Sequence, residues 1–85
     1  MDPLYLRVDA RDNVGIIANA EGVAAGAAFR DGLAARERIP QSHKIALGRI
    51  PRGHPVVRYG EVIGAALRDI DAGCWVREEM VDLPV

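Results

Sequence analysis

A seven-residue pattern, apolar-x-x-Gly-x-x-apolar, recurs along the chain at Val23-Gly26-Phe29, Ile50-Gly53-Val56 and Ile70-Gly73-Val76. A fourth copy, Ile39-Ser42-Ile45, carries serine in place of the glycine. A glycine held between two apolar anchors predicts a turn with positive φ that hands one short strand to the next. The copies start at 23, 39, 50 and 70, too irregular for stacked identical units. The pattern therefore reads as recurrent turn chemistry inside one meandering β domain and not as a solenoid.

β-branched content and punctuation predict strands over Leu4–Val8, Val14–Asn19, His43–Ile50, Val56–Leu67 and Cys74–Val76. Gly60 and Gly64 interrupt the long Val56–Leu67 run, which predicts a bulge or a close backbone approach and a strand that bends. A strand from His43 is expected to pair with that returning segment, placing His43 and Arg58 on one exposed face. The Ala-rich stretch from Glu21 to Ile39 has helical propensity, yet Gly22, Gly26 and Gly32 each cost about 1 kcal/mol there relative to Ala. It reads as loop and short strand, with one helical turn around Ala34–Arg38. A second single turn is expected at Arg77–Met80, before Val81–Leu83.

At 85 residues this is one domain with a thin core, since 49% of residues are hydrophobic but only 5% aromatic. A core of this kind favours a partner or a homo-oligomer, and the single Cys74 cannot staple it with an internal disulfide. Cys74 reads as a small buried hydrophobe. No stretch approaches the roughly 20 apolar residues of a membrane span, and MDPLYLRVDA lacks the layout of a signal peptide, so a cytoplasmic protein is expected.

The net charge of −1 conceals an asymmetry. From Arg36 to Arg58 six cations face one acid, giving +5, and the remainder of the chain carries −6. The basic centre holds both histidines and the only lysine, so the anion-handling groups are gathered there. Nucleic acid is not the expected anion, because the cations are not interleaved with stacking aromatics.

Within this centre His43, with an ordinary pKa of about 6.5, can act as acid, base or ligand, and equally as a hydrogen-bonded surface residue. Arg58 can grip a carboxylate through a bidentate fork and Lys44 as a point charge, unless both are solvated strand faces. Tyr59 can donate to a hydroxyl, Glu61 can pair with Arg58 or Lys44, and Trp75 reads as a core plug. His54, beside Pro55, reads as structural.

Four ordered motifs carry a resemblance: Asp12-Asn13-Val14, Ile39 to Leu47, Arg58 to Gly64 and Asp69 to Val76. Together they resemble the SAF domain, and within it the N-terminal domain of the galactarate and altronate dehydratase family, on the galactarate side. The resemblance covers nearly the whole chain. It implies a mainly β, β-clip fold built on a long bent hairpin, with at most one or two helical turns. It also implies that residues 1–85 lead a longer dehydratase, or form a separately encoded small subunit as in related sulfolactate sulfo-lyases. The other SAF-type role is a binding or assembly module, as in sialic acid synthases, antifreeze proteins and pilus or flagellar chaperones.

On the dehydratase reading the substrate is a hexarate-type sugar acid. Catalysis would fall to His43 and substrate binding to Lys44, Arg58, Tyr59 and Glu61. Loss of water from such an acid needs proton abstraction beside a carboxylate and stabilisation of the enediolate. The resemblance implies iron(II) or another divalent metal for the second task, held outside this chain. One departure stands out: the family's glycine before His-Lys is Ser42 here, in a position where the turn calls for positive φ.

Overall fold

The computed structural model describes residues 2–83. Seven short strands run β1 (Tyr5–Leu6), β2 (Val14–Ile17), β3 (Lys44–Ala46), β4 (Pro55–Arg58), β5 (Glu61–Ala66), β6 (Trp75–Val76) and β7 (Val81–Asp82). A single 3-10 turn, Glu78–Met80, is the only helical element among the described residues. The strands form two antiparallel sheets, ordered β1-β2-β3-β6 and β4-β5-β7, in the mainly β, β-clip arrangement expected.

The repeated pattern accounts for both cores. Gly26, Gly53, Gly73 and Ser42 all have positive φ, at 86°, 85°, 88° and 70°. Each sits third in a four-residue turn closed by a backbone bond, the type II signature. Each also donates its own N–H to a distant carbonyl: Gly26 to Ala35, Ser42 to Ile17, Gly53 to Ala66 and Gly73 to Ala46. The copies associate in pairs, Val23 bridging Ile39 and Ile50 bridging Ile70. The eight anchors are buried, four in each of two clusters.

The four-stranded sheet separates those clusters. Its register places Tyr5, Ile17, Ile45 and Trp75 on one face, against Val23, Phe29, Ala35 and Ile39. Val14, Ala46 and Val76 lie on the other, against Ile50, Val56, Ala66, Ile70, Met80 and Val81. Two small cores on opposite faces of one sheet give a body 38 Å long and about half as wide.

Three sequence expectations are corrected. The Val56–Leu67 run is two strands, because Tyr59 and Gly60, with φ of 55° and 75°, form a tight reversal. The bulge lies further on, between Val56 and Val57, opposite Ile63. Gly64 marks a close approach: a Cβ there would stand 2.3 Å from the Asp82 carbonyl oxygen. Second, Ala34–Arg38 is not helical. Ala34 bridges Ala28, and the N–H groups of Ala35 and Arg36 go to Ala27 and Gly73, so the donors of a helical turn are taken by strand-like partners. Third, β3 pairs with β2 and β6, not with the β4–β5 hairpin.

The hairpin is held instead by Asp12 and Asn13. Asn13 accepts from Val57 N–H at 2.8 Å and donates its amide to the Pro55 carbonyl at 2.8 Å, imitating a strand partner. The buried Asp12 carboxylate accepts from Gly60 N–H at 2.7 Å and from Asp9 N–H at 3.1 Å. Burial alone would raise its pKa, but the donors of Gly60, Asp9, Tyr59 and Val8 outweigh it and hold the group below its usual value. A depressed folded-state pKa means that this carboxylate stabilises the fold above the unfolded value of about 3.9 and stops doing so as pH falls through the folded one. Urea unfolding is therefore expected to show stability declining below about pH 4, with a shallower decline in Asp12→Asn. Identical slopes in the two proteins would refute this role for Asp12.

Candidate functional site

Strand alternation decides how the basic residues are shared out. Successive side chains point to opposite faces, so His43 and Lys44, neighbours in sequence, diverge. His43 lies with Ile45 on the first face and meets Trp75 edge-on, ring centroids 5.1 Å apart. Lys44 lies on the opposite face with Val76, its pairing partner across β3–β6.

That face brings Lys44 to Arg58, the last residue of β4. The two line a cleft with Ile63, Glu78, Val81 and Leu83. Burial, and then the Arg58 charge, lower the Lys44 pKa, while Glu78 opposes the shift. Arg58 lies 5.2 Å from the Tyr59 ring centre, and its buried Nε has no acceptor among the described residues. Two cations thus stand side by side, one with a donor left over.

A second cleft adjoins the first through Lys44 and Glu78 and continues past His43, Trp75 and Arg77. Trp75 is half-buried and forms wall as well as core: one side packs on the first-face cluster and its Nε1 is a second buried donor without an acceptor. Arg77 lies over its ring at 4.1 Å. Glu37 anchors this wall from outside, accepting from Arg77 at 3.0 Å and from Trp75 N–H at 3.2 Å.

The structure therefore brings together His43, Lys44 and Arg58, linked through Lys44 around the N-terminal end of β3. His43 and Arg58 do not share a face, because β3 pairs with β6 where the hairpin was expected. Tyr59 stands at the exposed hairpin tip and Glu61 is exposed opposite Arg58; neither lines the two clefts, and Glu61 forms no ion pair among the described residues. Glu78, Arg77 and Glu37 were not singled out by sequence. The i, i+2 spacing of Trp75 and Arg77, across the end of β6, was the available signal for Arg77. Ser42 opens the groove on the turn before His43 with φ of 70°, so the backbone keeps the glycine geometry despite the substitution.

No three His, Cys, Asp or Glu side chains converge as a metal cluster among the described residues. His43 meets the Trp75 indole edge-on, and the groove's two carboxylates, Glu78 and Glu79, share it with the cations Lys44 and Arg77, so the lining does not make the anionic ligand set that a divalent ion takes.

Residues 3–84 match the family model described as the altronate/galactarate dehydratase SAF domain. Galactarate dehydratase (L-threo-forming) of Escherichia coli (strain K12) is 52% identical over 80 residues, covering 94% of this chain and 15% of that protein. Altronate dehydratase of the same organism is 38% identical over 74 residues, covering 85% of this chain and 15% of that protein. The chain thus spans about one-seventh of the length of each. A family match over nearly every residue, with a relative 52% identical over 94% of the chain, shows that the chain belongs to the altronate/galactarate dehydratase SAF domain family.

Proposed function

We propose that this domain is the accessory, substrate-enclosing part of a galactarate-type sugar-acid dehydratase, a cytoplasmic hydro-lyase whose remaining domains or large subunit carry the main catalytic groups. The observation that carries the reading is the half-buried Lys44–Arg58 pair, with the Arg58 Nε lacking an acceptor. Two adjacent cations in a partly desolvated cleft repel each other; Glu78 shares the cleft but forms an ion pair with neither among the described residues, so an added anion is still favoured, and a planar carboxylate fits a guanidinium fork.

On this reading Lys44 and Arg58 hold one carboxylate of a hexarate-type substrate. Tyr59 and Glu61, at the rim of the same hairpin, approach its hydroxyls from the enclosing side. His43, exposed beside the Trp75 wall, handles a proton. The divalent metal expected for the enzyme, iron(II) or another ion, would be held by the remainder, which also abstracts the proton beside the carboxylate.

The 85-residue chain is accordingly expected to bind galactarate weakly and to turn none over, with or without added iron(II). Titration of the ¹⁵N-labelled chain with millimolar galactarate should move the Lys44 amide, the Arg58 Nε and the Trp75 indole signals. Turnover by rigorously purified chain would sink the accessory role. Shifts confined to other residues would favour an assembly module.

A further inference from the structure

We propose that β1 is a self-complementary edge through which two copies of this chain associate, their four-stranded sheets joining across a two-fold axis at Leu6. The inference goes beyond the enzymatic reading and does not depend on it.

β1 ends its sheet, next to β2 alone. Leu4 turns both backbone groups toward the β2 side, donating to the Asn19 side chain at 2.8 Å and accepting from Ala18 N–H at 2.9 Å. Leu6 pairs with Ile16. Antiparallel alternation then points the N–H and C=O of Tyr5 and Arg7 outward. Among the described residues no turn, loop or cap bond uses them. The same strand exposes an unbroken apolar row, Leu4, Leu6 and Val8, at 56%, 54% and 65%. Neither lysine nor proline guards the edge from Leu4 to Val8.

A second copy laid antiparallel about Leu6 meets every one of these features. Tyr5 falls opposite Arg7 of the other copy, so the outward groups exchange N–H···O bonds. Leu6 faces Leu6, and Leu4 faces Val8, so the apolar rows close on each other. A slip by one residue would set outward groups against inward ones and break both matches.

Charge agrees with the same register. The Tyr5 hydroxyl bonds to the Asp31 carboxylate. An arginine opposite Tyr5 extends along that ring toward Asp31, so each dimer gains two Arg7–Asp31 pairs between copies. Within one chain Arg7 already donates to the Ala10 carbonyl, but a guanidinium has five N–H donors to distribute. The paired segment is short, so the interface falls at the small end of specific contacts, below roughly 1,200 Å² in total, and the dimer is a concentration-dependent one.

Sedimentation of the unmodified chain over rising concentration is expected to show a monomer–dimer equilibrium. Arg7→Glu should abolish it, and adding Asp31→Arg should restore it. Register is read by crosslinking in a Cys74→Ser background. Leu6→Cys sits on the axis, where non-hydrogen-bonded partners lie about 4.5 Å apart, inside the disulfide range. It should oxidise to a dimer many times faster than Leu4→Cys or Val8→Cys alone, and a mixture of those two should crosslink again. A chain that stays monomeric at the highest attainable concentration overturns the proposal. So does Leu6→Cys crosslinking no faster than a control cysteine at exposed Leu67.

Discussion

Gly73→Ala is expected to leave the chain largely unfolded, whereas Gly53→Ala, at the equivalent place in a sister turn, should fold. Both positions have nearly the same φ, 88° and 85°, so a side chain pays the same left-handed penalty of roughly 1–2 kcal/mol at each. Their surroundings differ. A Cβ at Gly53 meets nothing within 4 Å, while at Gly73 it would stand 2.0 Å from the Ala34 carbonyl oxygen. That oxygen cannot withdraw cheaply, because the Gly73 carbonyl accepts from Arg36 and the Gly73 N–H donates to Ala46, tying the two turns to each other and to β3. Relieving the clash breaks one or both bonds and opens the junction between the two cores. The combined loss is expected to exceed about 3 kcal/mol, a large share of the stability of a small domain. Urea denaturation of the two variants side by side tests this, and equal midpoints would show that φ alone sets the cost.

In a full-length dehydratase carrying these residues, Arg58→Ala is expected to raise KM roughly ten- to a hundredfold. The estimate follows from losing a charge-assisted hydrogen bond worth about 1.5–3 kcal/mol. Lys44→Met should act in the same direction, since Lys44 is the other half of the pair. Removing both should cost less than the sum of the two, because the substrate's relief of the repulsion between them is already lost in either single variant. His43→Ala belongs to a different class: on the proposed proton-handling role it lowers kcat by about 10²–10⁴ with KM little changed. The separation follows from the structure's placing of His43 against Trp75, on the opposite face of the sheet from the Lys44–Arg58 pair. Wild-type kinetics in all three variants, with folding intact, would mean that the groove is structural.

The turn pattern was legible because its cause is local. Positive φ at a fixed place between two apolar anchors is decided by four or five residues, so Gly26, Gly53, Gly73 and even Ser42 adopt the expected geometry and the eight anchors are buried. The mainly β character, the 3-10 turn before β7 and the gathering of cations in the chain's centre were readable for the same reason. What only the tertiary structure decided is which strand lies beside which, since that depends on partners tens of residues apart. The reversal at Tyr59–Gly60 is fixed by Asp12, 48 residues from Gly60, and the Asp12-Asn13-Val14 motif marked that carboxylate without revealing its partner. The partner of β3 is β6, and this choice sends Lys44 to Arg58 and His43 to Trp75. Sequence supplied the cations; the pairing of strands, driven by burial of two separate cores on one sheet, determined which of them meet.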